Sequence, residues 1–203
     1  CTRRELAIRA RRAPAGTLYP GTCRDGPLHP ERPLALRVRV PDAELGFVDR
    51  AFGACRANLA TRHGDFVVRR ADGLYAYHLA VVVDDAEQGI TEVVRGADLL
   101  EQTLPQLLLQ RLLGLPVPGY LHLPLAVDGA GHKLSKQTGA LPLPAGDPRP
   151  ALLAVLQHLG QAPPAGLRAE SLDGLWHWAV RHWDPAALPT APAPLRAPSA
   201  PAR

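Results

Sequence analysis

The 203 residues contain no methionine. A chain read from its own start codon ordinarily carries one, so the expectation is an excised or incomplete chain beginning at Cys1. Cysteine is nearly as scarce. Cys1, Cys23 and Cys55 form an odd, sparse set, which argues against a disulfide framework and for a reducing cytoplasm. No apolar run approaches the roughly 20 residues of a spanning helix and no signal-peptide pattern is present, so no membrane partner is expected. GxxxxGK[ST] is missing, which excludes a Walker-type nucleotide binder. HExxH, GxSxG and CxxC are missing too, and with them the chemistries those spacings serve. No internal repeat occurs. Strong charge of one sign is also lacking: 23 basic against 19 acidic residues leave +4, a weak lean toward an anionic partner and nothing like a histone.

What is there suffices for one medium domain, or a medium and a small one. Arginine is heavily preferred over lysine, and alanine, proline and leucine abound. That usage reads first as the mark of a GC-rich genome; arginine's fit to phosphate is a second reason. Residues 2–12 read as a basic helix with Thr2 as N-cap and Glu5 in the capping-box position, ended by Pro14 and Gly16. Residues 34–40 alternate and predict a strand with Leu34, Leu36, Val38 and Val40 inward and Arg37 and Arg39 outward. Residues 44–63 show weak periodicity and stay unassigned. Residues 65–70 predict a second strand, followed by a turn at Ala71-Asp72-Gly73. The segment from Tyr75 suits a helix ending near Asp84-Asp85, although Val81–Val83 would equally suit a buried strand. Residues 91–96 predict a short strand. Leu104, Leu107, Leu108, Leu112 and Leu115 recur at helical spacing, with Pro105 in the first turn of a helix starting at Thr103 and Gly114 as its stop.

A further strand, 121–126, leads through a turn at Asp128-Gly129 into VDGAGHKLSKQTGA, residues 127–140. Two ammonium groups at fixed spacing, Lys133 and Lys136, bracket Ser135 in a glycine-rich loop past a strand end, an arrangement suited to a polyphosphate. The alternation of strands and helices predicts an α/β unit with parallel strands, whose ligand crevice lies at the strand carboxyl ends; Arg95 and the lysine loop both fall there. Beyond residue 146 the composition changes to helices at 151–160 and, capped by Ser171, at 172–183. Trp176, Val180 and Trp183 share a face that is expected to be core, with nucleic-acid stacking as the alternative. Cys55 is expected in the core. The Pro/Ala-rich end, 191–203, is expected to be disordered or draped.

A KxxK pair alone is more often a solvated loop. Here HKLSKQ (132–137) resembles the KMSKS signature of class I aminoacyl-tRNA synthetases in its glutamyl form, and DGLYAYHLAVVVDDAEQGITEVVRGADLL (72–100) resembles the stretch that precedes it in those enzymes. Tyr19-x-x-x-Cys23 after a CTR segment, together with Gln137, resembles the truncated glutamyl-Q branch of that family. The resemblance covers residues 1 to about 185. It implies an α/β chain: the second half of a class I synthetase Rossmann-like catalytic domain (64–145, with the KLSKQ loop), an inserted zinc-module lobe (1–63) and a small helical lobe (146–190). It implies ATP-dependent, tRNA-independent formation of glutamyl-adenylate with Mg2+, and transfer of the glutamyl group to queuosine in the anticodon of tRNA(Asp), by a cytoplasmic monomer. In these roles Lys136 stabilises the transition state, Lys133 and Ser135 help hold ATP, and Tyr77 and Arg95 bind L-glutamate. Zinc would be held by Cys1, Tyr19 and Cys23, three ligands of a pattern whose first cysteine would precede Cys1. The family's HIGH-like half is absent from these residues, so the chain by itself is not expected to form the adenylate. Two other readings stand beside this one: a truncated glutamyl-tRNA synthetase charging tRNA(Glu), and a non-catalytic tRNA-binding remnant.

Overall fold

The structure, a computed structural model, describes residues 5, 8, 11–13, 16–135 and 146–194. It is α/β, as expected. By their contacts the residues divide into two compact units: 1–49, 54–93 and 99–120 in one, and 50–53, 94–98 and 121–203 in the other. The largest sheet has four strands: β4 (Glu44–Asp49), β5 (Gly53–Asn58), β7 (Glu92–Gly96) and β8 (Gly119–Leu123), in the spatial order β5-β4-β8-β7. The β4–β8 pair is parallel, with Asp49 opposite Tyr120. Strands β4 and β5 lie in the stretch whose sequence shows no clear period. They are joined by a turn at 50–52 that ends on Gly53 at φ +71°, a left-handed backbone that a side chain would strain.

In the first unit two short ribbons accompany the sheet. Strands β1 (Arg11–Ala13) and β2 (Gly16–Leu18) pair antiparallel, so the predicted helix over 2–12 is corrected at its end: Glu5 and Ile8 are helical, but Arg11–Ala13 turn back as a strand. Strands β3 (Leu36–Val38) and β6 (Phe66–Arg69) pair antiparallel with a register shift between Leu36 and Arg37. That shift splits the predicted alternation. Val40 is buried, but Leu34 and Leu36 are exposed, while Arg37 turns inward, donates to the Asp65 carbonyl and lies 4.3 Å from the centre of the Tyr19 ring. A four-residue helix, α1 (Leu59–Arg62), is capped by Asn58, whose side chain accepts from the Thr61 N–H.

Helix α2 (Tyr77–Glu87) includes Val81–Val83, which settles the ambiguity of the β-branched run. Val82 packs with Val68 and Leu109, so burial outweighs the weak helix propensity of valine. Helix α3 (Thr103–Leu113) begins at the predicted residue, with Pro105 in the first turn where no intrahelical N–H is lost. It ends at Gly114 in the left-handed region (φ +66°), with the Leu115 N–H closing on the Gln110 carbonyl. Leu104, Leu107 and Leu108 of the predicted stripe join Val40, Leu45, Leu59 and Tyr120 in the core, while Leu112 is exposed.

The second unit contains β9 (Ala126–Val127), α4 (Arg149–His158), α5 (Leu172–Arg181) and β10 (Ala193–Pro194), the last pairing parallel with β9. The pairing corrects the expectation that the Pro/Ala stretch is free from residue 191; residues 195–203 lie outside the described set. Ser171 caps α5 by accepting from the Gly174 N–H. The buried face of α5 is Leu175 and Ala179, with Leu175 packed on Leu153 and Leu167. The expected core face is therefore corrected: Trp176 is 52% and Val180 77% exposed, and Trp183 is also open to solvent. Of the indoles of α5, Trp178 packs against this leucine cluster and also stacks on His182 at 4.9 Å. Cys55 is only partly buried, and that burial pushes its thiol above its usual value. Among the described residues no helix is long and apolar enough to cross a membrane.

Asp65, 4% exposed, accepts from Arg24 through both carboxylate oxygens at 2.6 Å and from the Val40 N–H at 2.9 Å. Burial alone would raise its carboxyl; the Arg24 hydrogen bond, the Val40 N–H and the nearby arginine charges outweigh it and hold the group below its usual value. A depressed folded pKa contributes stability that is complete above the unfolded value near 3.9 and is lost as pH falls through the folded one. The melting temperature should therefore drop in that acid window, and Asp65→Asn should flatten the drop. In urea melts near neutrality, Asp65→Ala should cost at least the roughly 1–3 kcal/mol of an orphaned buried N–H at Val40.

Candidate functional site

The lysine loop begins as β8 breaks at Pro124 and resumes as β9. From Asp128 the chain turns on itself. The Asp128 carboxylate accepts from the N–H groups of Ala130 and His132, both at 2.9 Å, and the backbone closes through Gly131 N–H to the Asp128 carbonyl and Asp128 N–H to the His132 carbonyl. The His132 N–H bond is the main reason its carboxyl lies below the usual range. Lys133 then bridges back to Val127, and the Leu134 N–H donates to the Ala126 carbonyl. The predicted turn is thus a pinned hairpin whose return arm carries Lys133 and Ser135. Lys136 lies outside the described residues.

Lys133 forms an ion pair with Asp98 at 2.5 Å. Asp98 sits two residues beyond the end of β7, in a 3-10 turn over Ala97–Leu99. Gly96 makes room for it: a Cβ there would stand 2.5 Å from Asp98 Oδ1 and 3.6 Å from Leu125. Arg95, expected just past a strand end, lies within β7, and in the second unit Asp98 ties the lysine loop to the segment that follows that strand. Arg95, partly buried on β7, donates from Nε to Nε2 of His122 on the adjacent strand β8, at 3.0 Å. Tyr77 belongs to the first unit. It is the first residue of α2, is 54% exposed, and lies tilted against His78 at 5.9 Å.

The metal candidates fare unequally. The Tyr19 hydroxyl accepts from the Cys23 N–H at 2.7 Å, so these two groups share one turn. The Leu28 N–H and then the Tyr19 hydroxyl hold the Cys23 thiol below its usual value, while burial pushes the Tyr19 phenol up. Both are donors of the type zinc takes, but two do not make a tetrahedral site. Cys1 lies outside the described residues, and among the described residues no group of three or more His, Cys, Asp or Glu gathers to hold a metal.

Sequence reasoning missed Asp98 and His122, and read Asp128 as a turn residue without its carboxylate's part in closing the turn. A compositional signal was available for the loop itself. Lys133 and Lys136 are the only lysines in the chain, every other basic side chain of the Lys/Arg class being arginine. Where usage presses so hard toward arginine, two retained lysines mark positions that want a compact ammonium rather than a planar fork. The exposed face of α5 adds a shallow concavity lined by Trp176, His177, Trp178, Val180 and Arg181.

Residues 25–174 match the family model described as tRNA synthetases class I (E and Q), catalytic domain. The chain is 54% identical over 184 residues to a glutamyl-Q tRNA(Asp) synthetase of Aromatoleum aromaticum, covering 90% of this chain and 58% of the relative. It is 52% identical over 172 residues to the glutamyl-Q tRNA(Asp) synthetase of Pseudomonas aeruginosa, covering 85% and 58%. Among solved structures it resembles a glutamate tRNA ligase from Elizabethkingia meningosepticum in complex with its amino acid, with a TM-score of 0.66 at 26% identity, over 84% of this chain and 38% of that one. The chain thus spans 58% of the length of these two curated relatives.

Replacing Asp128 by Ala should release the Ala130 and His132 amides. In hydrogen exchange both should lose protection by about tenfold or more, with the α3 amides unchanged. Equal protection in the variant would show that the backbone closure holds the turn without the carboxylate.

Proposed function

The chain belongs to the class I tRNA synthetase family of the glutamyl and glutaminyl type, and from that premise we propose that it takes part in glutamate activation by ATP and transfer of the glutamyl group to queuosine in the anticodon of tRNA(Asp). The observation that supports this most directly is the Lys133–Asp98 pair, which joins the KLSK loop to the end of β7 beside Arg95. In the first step an oxygen of the glutamate carboxylate attacks the α-phosphorus of ATP. The bond from that phosphorus to the bridging oxygen breaks, and pyrophosphate leaves with the electron pair. In the second step a nucleophile of the modified base attacks the glutamyl carbonyl and AMP departs.

The residues divide the work by charge. Arg95 offers a planar fork to a substrate carboxylate, and Tyr77 offers a hydroxyl to the amino acid. Lys133 and Ser135 hold the phosphates, Lys133 exchanging Asp98 for them. Lys136 supplies the cation that meets charge as it builds on the phosphates. Mg2+ arrives on the phosphates of ATP, as part of the substrate. Zinc enters this reading only through Cys1 as a third donor beside Tyr19 and Cys23. Residues 1–63 then form an inserted lobe, 64–145 the second half of the nucleotide-binding fold and 146–190 a helical lobe, in a cytoplasmic monomer.

In the protein at its full natural length, glutamate-dependent ATP–pyrophosphate exchange should proceed without tRNA. The glutamyl group should then pass to tRNA(Asp) bearing queuosine and not to tRNA(Glu); charging of tRNA(Glu) would sink the assignment. Lys136→Ala should lower the exchange rate by roughly 100-fold or more. For the metal, the purified protein should keep zinc through dialysis, and Cys23→Ala should lose it; wild-type protein free of zinc would remove the metal from the reading.

A further inference from the structure

We propose that His122 is a positioning residue for Arg95, fixing which edge of the guanidinium meets the substrate carboxylate; this rests on the glutamate-binding role proposed for Arg95. His122 is 0% exposed on β8, between the buried Leu121 and the half-buried Leu123, and its Nε2 accepts from Arg95 Nε at 3.0 Å. A ring nitrogen that accepts must carry a lone pair, so the imidazole is neutral with its proton on Nδ1. A protonated ring would instead turn an N–H toward the guanidinium and repel it.

The contact has a stereochemical consequence. A guanidinium can grip a carboxylate side-on, through Nε and one Nη, or end-on, through Nη1 and Nη2. With Nε given to His122, the side-on grip is closed and the end-on grip is the bidentate one that remains. The carboxylate then lies on the long axis of the arginine side chain, at a distance set by β7 and in a plane set by the imidazole. His122 is fully buried, and its hydrogen bond to Nε favours this rotamer of Arg95. The fork is therefore aimed before substrate arrives, which lowers the ordering cost of binding.

The test compares His122→Leu with His122→Gln, whose side-chain amide oxygen can reach the place of Nε2, in the protein at its full natural length. In ATP–pyrophosphate exchange, His122→Leu should raise KM for glutamate about tenfold, as expected for losing a hydrogen bond to a charged group. KM for ATP and kcat should stay within about threefold, and His122→Gln should return KM for glutamate to within about threefold of wild type. An unchanged KM for glutamate in His122→Leu overturns the proposal. So does a parallel rise in both KM values that Gln does not repair, which is the mark of a merely structural residue. A second readout needs no substrate: the Arg95 Nε–H resonance should be protected from solvent exchange in wild type and in His122→Gln and lose that protection in His122→Leu. If wild type shows no glutamate-dependent exchange, the glutamate reading fails on its own account. The Arg95 resonance then decides the contact separately, and an Nε–H as fast-exchanging as a surface arginine's overturns it.

Discussion

Asp65 holds three otherwise separate pieces of chain. Its carboxylate takes the Arg24 guanidinium from the loop after β2 and the Val40 N–H from the end of β3, while its own carbonyl takes Arg37. The β3–β6 ribbon has only two strands, and a ribbon of that size is marginal in water on its own. What keeps it in place is this ionic knot and the cluster of Val68, Val82 and Leu109 beneath it. The loop carrying Tyr19 and Cys23 is anchored through the same carboxylate, by way of Arg24 and the Arg37 stack on Tyr19. A single buried acid thus determines where a candidate metal-binding loop can lie.

The second unit uses acids differently. Asp128 closes the turn on which the lysine loop is built, and Asp98 receives the first lysine of that loop. Neither acid is deeply buried, so neither is expected to contribute much to stability. Their effect is directional: between them they hold the Lys133 ammonium near where anionic substrate is proposed to bind. His122 on β8 is proposed to do the same for the Arg95 guanidinium of the adjacent strand. Cations that must meet a reacting phosphate or carboxylate lose little entropy on binding when such partners have already ordered them.

Elements whose signals are local were legible in the sequence. Thr103, Pro105 and Gly114 marked the start, first turn and stop of α3, and the leucines between them told which face is buried. The Asp128-Gly129 turn and the Ser171 cap were equally plain. The elements that depend on partners far along the chain were not. Strands β4 and β5 show no clean apolar alternation in sequence, and many of their residues are only half-buried. The buried face of α5 went to Leu175 and Ala179, with Leu175 packed on Leu153 and Leu167 from other elements, which no hydrophobic count along α5 alone reveals. Arg37 turned inward for Tyr19 and Asp65, both distant in sequence. In the candidate site, the residues proposed to touch substrate lie in stretches that resemble the family and could be named from it. Asp98 and His122, which pair with Lys133 and Arg95, were not singled out by that resemblance.

The parallel pairing of β10 with β9 has a meaning in polymer terms. Ala193 and Pro194 return to Ala126 and Val127, so the lysine loop, α4 and α5 form a closed ring of chain fastened at its neck. The entropy of closing such a ring grows only with the logarithm of its length. Residues can be added to or taken from the ring at small thermodynamic cost, provided the neck and the turn at Asp128 are kept. Length variation is thus tolerated best along the body of the ring, and least at its neck and at the turn that Asp128 closes.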